Sequence, residues 1–178
     1  PDNWTLLDAD GDGYNWEIVD PGVYDSNYSI SSHSFYPGAG GLSPDNYLIT
    51  PQVNVTTNGV LAYWVRTMST SFPDEHYGVY ASTTGNSIED FGDPLFEETL
   101  VAKAAGEWYK RTIELPEGTK YVAFRHFNST DIFRFSIDNI EISSDEAEQE
   151  LSYNIYRDGV LLDNTLDLTY VDEVNPEG

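Results

Sequence analysis

Cysteine is absent from these 178 residues. That excludes disulfides, thiolate nucleophiles and cysteine-ligated zinc, but it assigns no compartment. Basic residues are scarce: 8 Lys and Arg stand against 31 Asp and Glu, for a formal net charge of −23. Such a surface repels phosphate backbones and anionic lipid, so neither nucleic acid nor direct membrane insertion is expected. No apolar run is long enough to cross a bilayer or to act as a signal peptide. Pro1 is not a native start, so the chain reads as a piece of a longer protein whose export signal would lie outside it. Helical periodicity is also missing. The one candidate is a single turn at 87–91, with Ser87 as its N-cap.

What is present is a strand pattern. The hydrophobic share is 39% and the aromatic share 14%, enough for a sheet-rich core without crosslinks. Aromatic and β-branched runs at 47–49, 59–67, 76–82, 107–115, 121–127 and 133–142 are separated by Gly, Pro, Asn and Asp. The run 60–65 is nearly all apolar, as expected of a central strand buried on both faces. Residues 110–115 alternate, as expected of a half-exposed strand. Pro116-Glu117-Gly118-Thr119 is a turn. The Ser-, Tyr- and Gly-rich stretch 21–43 reads as a long surface loop.

The organisation expected is an all-β domain over 1–143, an acidic linker over 144–150 and a partial second domain over 151–178. In the tail, 153–162 reads as a hairpin turning at Asp158-Gly159, and 168–172 as a further short strand. Three strands are too few for an independent sandwich.

One motif carries chemistry. Asp8-Ala9-Asp10-Gly11-Asp12-Gly13 spaces carboxylates at alternate positions and puts Gly at the sixth, like the first half of an EF-hand-type Ca²⁺ loop. Position seven would offer the Tyr14 carbonyl. The twelfth place is Val19 rather than a bidentate Glu, so further ligands must come from water or from elsewhere. Asp138, a carboxylate in an apolar strand context, is a candidate. The competing reading of the loop is a solvated Asx-turn.

Other residues carry weaker signals. His33, His76 and His126 read as hydrogen-bonded histidines at a sheet surface or core edge, with metal or haem ligation as the alternative. Glu97-Glu98 and Asp74-Glu75 would point to opposite sides of a strand and read as solvated. No nucleophile motif singles out a serine. Trp64 reads as core and Trp16 as packing beneath the acidic loop. The better candidates for a ligand-facing surface are Trp108, for which core is the competing reading, and Tyr24, Tyr28 and Tyr36 of the long loop.

Five stretches taken together carry a resemblance. They are 4–13 with Trp16, 43–51 (Ser-Pro-Asp-Asn-Tyr-Leu-Ile-Thr-Pro), 75–82 with Thr84-Gly85-Asn86, 118–127 (Gly-Thr-Lys-Tyr-Val-Ala-Phe-Arg-His-Phe) and 137–142 (Ile-Asp-Asn-Ile-Glu-Ile). The chain resembles the cleaved adhesin domains of the gingipain and haemagglutinin family. The resemblance implies a jelly-roll β-sandwich of galactose-binding or MAM-like type, with structural Ca²⁺, followed by a truncated fibronectin-III-like fragment. It implies a non-catalytic adhesin module, covalently linked to neighbouring domains, in a secreted or outer-surface protein of a Gram-negative bacterium. Relatives are associated with host proteins or glycans and with haem. The readings in competition with an adhesin are a carbohydrate-binding module and a structural accessory domain of a surface protease. The chain departs from the family in three ways. It lacks a Phe-Glu strand ahead of Pro1, whose Glu the resemblance pairs with Asp138 at Ca²⁺. It lacks the family's one or two cysteines. Its stretch 21–43 matches poorly.

Overall fold

β-Branched and aromatic residues favour extended backbone, and several runs of them are followed by Gly, Asn or Asp in a left-handed conformation, as at Gly11, Gly118, Asn128 and Asp158. The structure, a computed structural model, describes residues 3–19, 22, 27–101, 104, 106–145, 152–165, 169 and 171. Its strands are β1 (Thr5–Asp8), β2 (Glu17–Val19), β3 (Ser29–His33), β4 (Phe35–Tyr36), β5 (Gly40–Gly41), β6 (Asn46–Ile49) and β7 (Gly59–Thr67). They continue with β8 (His76–Ser82), β9 (Phe96–Thr99), β10 (Tyr109–Leu115), β11 (Tyr121–His126), β12 (Arg134–Ser143), β13 (Tyr153–Arg157) and β14 (Val160–Thr165). The chain divides into two compact units, Pro1–Glu146 and Ala147–Gly178.

The first unit is a jelly-roll β-sandwich of two antiparallel sheets. One runs β1-β6-β11-β8-β9 and the other β10-β7-β12-β3-β2. From β6 to β12 the chain crosses between the sheets at nearly every connection. Register places apolar side chains in rows. Leu6, Leu48, Phe124, Val79 and Phe96 are successive partners across the first sheet. Ile30, Ile137, Val65 and Tyr109 are partners across the second. Both rows belong to one core cluster. The Tyr63 ring stands 5.0 Å from Phe124, and Tyr77 stacks on Phe135 at 5.3 Å, so aromatic edges and faces fill the space between the sheets.

Strand β7 is central, as expected, but only one of its faces is sealed. Leu61, Tyr63 and Val65 are buried, while Val60, Ala62 and Trp64 are half-buried. Trp64 therefore faces outward, because the pleat alternates whatever the hydrophobicity of the run. The expected surface loop 21–43 is corrected too. Every residue of β3 within it is buried. Its serines read as loop, but their hydroxyls find interior partners: Ser31 and Ser136 Oγ lie 2.6 Å apart.

A buried polar network closes one end of the sandwich. Glu75, with no exposed surface, lies just ahead of β8. Its Oε1 accepts from Ser34 Oγ (2.8 Å) and Phe133 N (2.9 Å), and its Oε2 from His126 Nε2 (3.0 Å). His126 Nδ1 is 2.7 Å from Ser32 Oγ. A second set crosses the sheets. Arg111 on β10 donates twice to Glu98 on β9, at 2.8 and 2.9 Å, and the Tyr77 hydroxyl donates to Glu98 at 2.6 Å. Both pairs read as solvated are thus corrected in one member. Glu75 shares the inward face of its strand with Tyr77 and Val79, and Glu98 shares that of Phe96.

The 3₁₀ turn at Ile88–Asp90 is held by Asp90, which accepts from Ser87 N (3.0 Å) and Thr84 Oγ1 (2.8 Å). Phe91 beyond it packs on Tyr47, Ile49, Tyr80 and Ala123, a second buried cluster.

The second unit shows a single hairpin, β13 with β14. Asp158 (φ 49°) and Gly159 (φ 82°) are both left-handed, the geometry of a type I′ turn. The expected strand at 168–172 falls largely outside the described residues.

Removing the Glu75 carboxylate leaves the buried donors of Ser34, Phe133 and His126 without their acceptor, at about 1–3 kcal/mol for each group left unsatisfied. Glu75→Ala is expected to lower the unfolding free energy of the first unit, measured by urea titration, by at least that order. Glu75→Gln, which keeps the acceptor to Ser34 and Phe133, is expected to cost less.

Candidate functional site

Strand β1 ends at Asp8, and the chain then bends through Gly11 (φ 72°) and Gly13 (φ 85°). These left-handed positions let the loop fold its acidic side chains together. One carboxylate oxygen from each of Asp8, Asp10 and Asp12 lies within 4.8 Å of the others. Backbone N–H groups hold them: Gly11 N and Gly13 N donate to Asp8 at 2.7 and 2.9 Å, Asp12 N to Asp10 at 3.1 Å, and Tyr14 N to Asp12 at 2.7 Å. The loop is tied to the strand β6 side by Asp45 N, which donates to Asp10 at 2.7 Å. Arg125 clamps Asp45 in turn, at 2.6 and 2.8 Å, and that hydrogen bonding raises the Arg125 pKa.

Desolvation and hydrogen bonding split the carboxylates. Partial desolvation raises the Asp10 pKa, and its hydrogen bond with Asp8 and the charge of Asp12 push the same way, against the N–H donors of Asp12 and Asp45. Desolvation also works to raise Asp8. The hydrogen bond from Asp10 and the N–H groups of Gly13, Gly11 and Asp12 outweigh it, so Asp8 lies below the ordinary value. The donor set is all oxygen and all anionic, which suits a hard cation such as Ca²⁺ rather than zinc.

The other predicted residues fall in separate places. Asp138 lies opposite Trp64 on β12, before a bulge at which Asn139 takes φ 47°. It is not one of the clustered carboxylates. It lines a mainly apolar cleft of about 260 Å³ with Trp4, Ile18 and the exposed Tyr28. Trp108 is half-buried, with the Arg66 guanidinium 4.2 Å from its ring centroid. Tyr36 stands beside the acidic loop, 5.2 Å from Tyr14 and 5.0 Å from His33. Tyr24 lies outside the described residues. Trp16 is buried beneath the loop and donates from Nε1 to the Asn46 carbonyl at 3.2 Å.

A cavity of about 240 Å³ opens beside the loop, lined by Tyr14, Asn15, Trp16, Glu17, His33 and Tyr36. Residue patterning singled out Tyr14, Trp16, His33 and Tyr36 separately, but neither Asn15 nor Glu17, and it did not bring them together. Glu17 and His33 are brought together only by the β2–β3 pairing, with Glu17 Oε1 2.8 Å from His33 Nε2.

Ser32, His126 and Glu75 have the connectivity of a hydrolase nucleophile, base and orienting acid. All three are sealed, with no exposed surface, so no substrate can meet Ser32. The set is structural.

Comparison with known proteins agrees with this picture. The family model of the Cleaved Adhesin Domain matches residues 1–142. The chain is 38% identical over 192 residues to Hemagglutinin A of Porphyromonas gingivalis, a match covering 97% of this chain and 7% of that protein. The chain thus spans under a tenth of that relative. It superposes on the crystal structure of the K1 cleaved adhesin domain of Lys-gingipain from P. gingivalis W83 with TM-score 0.77 and 45% identity, over 82% of this chain and 93% of that one. A carbohydrate-binding module, TmCBM61 solved with β-1,4-galactotriose, shares the fold at TM-score 0.52 and 12% identity, over 81% and 90% of the two chains.

Burial lowers the His33 pKa below its ordinary 6.5. The charge of Glu17 opposes that shift and Arg134 reinforces it. Just below pH 6.5 the unfolded chain therefore binds this proton better than the folded one. The stability contributed by neutral His33 is present above that pH and is lost as pH falls towards the folded-state pKa. Acidification through this window is expected to lower the melting midpoint, and His33→Asn to flatten that part of the profile.

Proposed function

The chain belongs to the cleaved adhesin domain family and is a non-catalytic module, and from that premise we propose that it is a Ca²⁺-stiffened adhesin domain that binds host proteins or glycoproteins. It serves as one covalently linked part of a longer secreted or outer-surface protein of a Gram-negative bacterium. The observation that carries the reading is the family match over the whole sandwich, joined to a fold whose serine–histidine–glutamate set is sealed.

Asp8, Asp10 and Asp12 would hold the cation, with the Tyr14 carbonyl a candidate for a further ligand; Asp138, in the cleft beside Trp4, is not among the clustered carboxylates. Bound Ca²⁺ would neutralise carboxylates that crowd one another in a chain of net charge −23. The acidic loop joins β1 of one sheet to β2 of the other, so stiffening it stiffens that edge of the sandwich. Recognition then falls to loops on a rigid scaffold. A second reading, a carbohydrate-binding module, is favoured by the aromatic-walled cavity beside the loop.

A ligand that binds only the folded state stabilises by about 2.7 kcal/mol at a hundred times its Kd. For a unit of this size that is roughly 5–10 °C in Tm. Ca²⁺ is expected to raise Tm on that scale in a calorimetric scan, EDTA to reverse the gain, and Asp8→Asn with Asp12→Asn to abolish it. Beads carrying the chain are expected to bind washed erythrocytes without turning over any component. Beads that bind neither erythrocytes nor immobilised serum glycoproteins would overturn the adhesin reading.

A further inference from the structure

We propose that the cavity beside the Tyr14–Tyr36 ring pair is a binding site for a single sugar ring, the terminal residue of a glycan. The inference rests on the adhesin reading and names the chemistry that reading leaves open.

The cavity holds about 240 Å³, the space of roughly eight bulk waters. That admits one six-membered ring and little more. Its aromatic side is a pair of tyrosine rings in contact, centroids 5.2 Å apart and tilted by 43°. His33, which lines the same cavity, meets Tyr36 in a T-shaped contact at 5.0 Å. Aromatic faces bind the C–H side of a sugar ring, because they are apolar and electron-rich while those hydrogens are weakly positive. Tyr14 is positioned by the acidic loop, since its backbone N–H is bound to Asp12.

The polar groups complete the match. A sugar is a ring of hydroxyls, each both donor and acceptor, so its site must offer both functions beside an aromatic wall. Here Glu17 offers acceptor oxygens. Its Oε1 lies 2.8 Å from His33 Nε2, and its side chain is 42% exposed. Asn15 uses its carbonyl oxygen on Trp16 N at 2.7 Å, and among the described residues its Nδ2 has no partner. The hydroxyls of Tyr14 and Tyr36 likewise have none. Carboxylate, amide N–H and two phenols thus surround one small aromatic-walled space. The nearby carboxylates disfavour an anionic sugar such as a sialic acid, so the ligand is a neutral hexose or N-acetylhexosamine.

The test uses the full chain on a printed array of neutral and sialylated glycans, followed by titration with the methyl glycoside of the best terminal sugar. Tyr36→Ala and Glu17→Gln are each expected to weaken binding at least tenfold while leaving Tm near that of the parent. Ile88→Ala, on the 3₁₀ turn and not part of the cavity lining, should leave binding unchanged. If Tyr36→Ala lowers Tm, Tyr14→Phe serves in its place, because it removes only a hydroxyl. A blank array, binding only to sialylated glycans, or binding indifferent to Tyr36, Tyr14 and Glu17 overturns the proposal. A blank array with erythrocyte binding retained sinks the sugar site and leaves the adhesin reading standing. Loss of both sinks both.

Discussion

A carboxylate with no access to water constrains the whole upper end of this sandwich. Glu75 cannot stay charged in the interior unless all its acceptor positions are served. Its donors come from three separate parts of the chain: Ser34 after β3, His126 at the end of β11, and Phe133 just before β12. Satisfying one side chain therefore fixes both sheets against each other at that end. The Ser34 hydroxyl also accepts from Ile132 N and Phe133 N, which carries the constraint into the loop before β12. The Glu98–Arg111–Tyr77 set plays the same part at the far edge, where β9 and β10 belong to different sheets.

Around this neutralised interior the surface is left strongly acidic. Few basic residues exist to balance it, and two of them, Arg111 and Arg125, are committed to Glu98 and Asp45. The acidic loop after β1 is the place where like charges are forced closest. Its carboxylates are gathered by backbone N–H groups rather than by cations of the chain, so their mutual repulsion is held by the fold alone. That repulsion is the physical ground for the proposal of a cation at this loop.

The functional consequence is a scaffold without a reactive centre. Nucleophile, base and acid are all present, yet they are spent on holding the core together. What remains accessible is surface: an apolar cleft beside Trp4, and a small cavity in which tyrosines meet polar side chains. Among the described residues β1 and β2 are edge strands of their sheets, with Ile18 of β2 lining the cleft and Glu17 of β2 lining the cavity. An adhesin needs no more than such surfaces, rigidly presented.

The amino-acid sequence by itself determined an all-β class, because aromatic and β-branched runs broken by Gly, Pro, Asn and Asp favour strands and turns, while the sandwich followed from the family resemblance. It also determined the acidic loop, since Asp8, Asp10, Asp12 and both glycines are local and their geometry follows from neighbours in the chain. The type I′ hairpin at Asp158-Gly159 was legible for the same reason. Tertiary structure alone decided which polar residues are interior. Glu75 and Asp74 are indistinguishable in composition, and only the strand's phase relative to Tyr77 sends one inward. It decided that Ser31 and Ser32 belong to a buried strand, and Ser34 to the buried bend after it, because their partners Ser136, His126 and Glu75 are distant in sequence. It placed Asp138 apart from the acidic loop, and it brought Glu17 and His33 beside Tyr36 by pairing β2 with β3. Short-range chemistry is written in adjacent residues, whereas burial and convergence depend on register between strands that the chain meets only after folding.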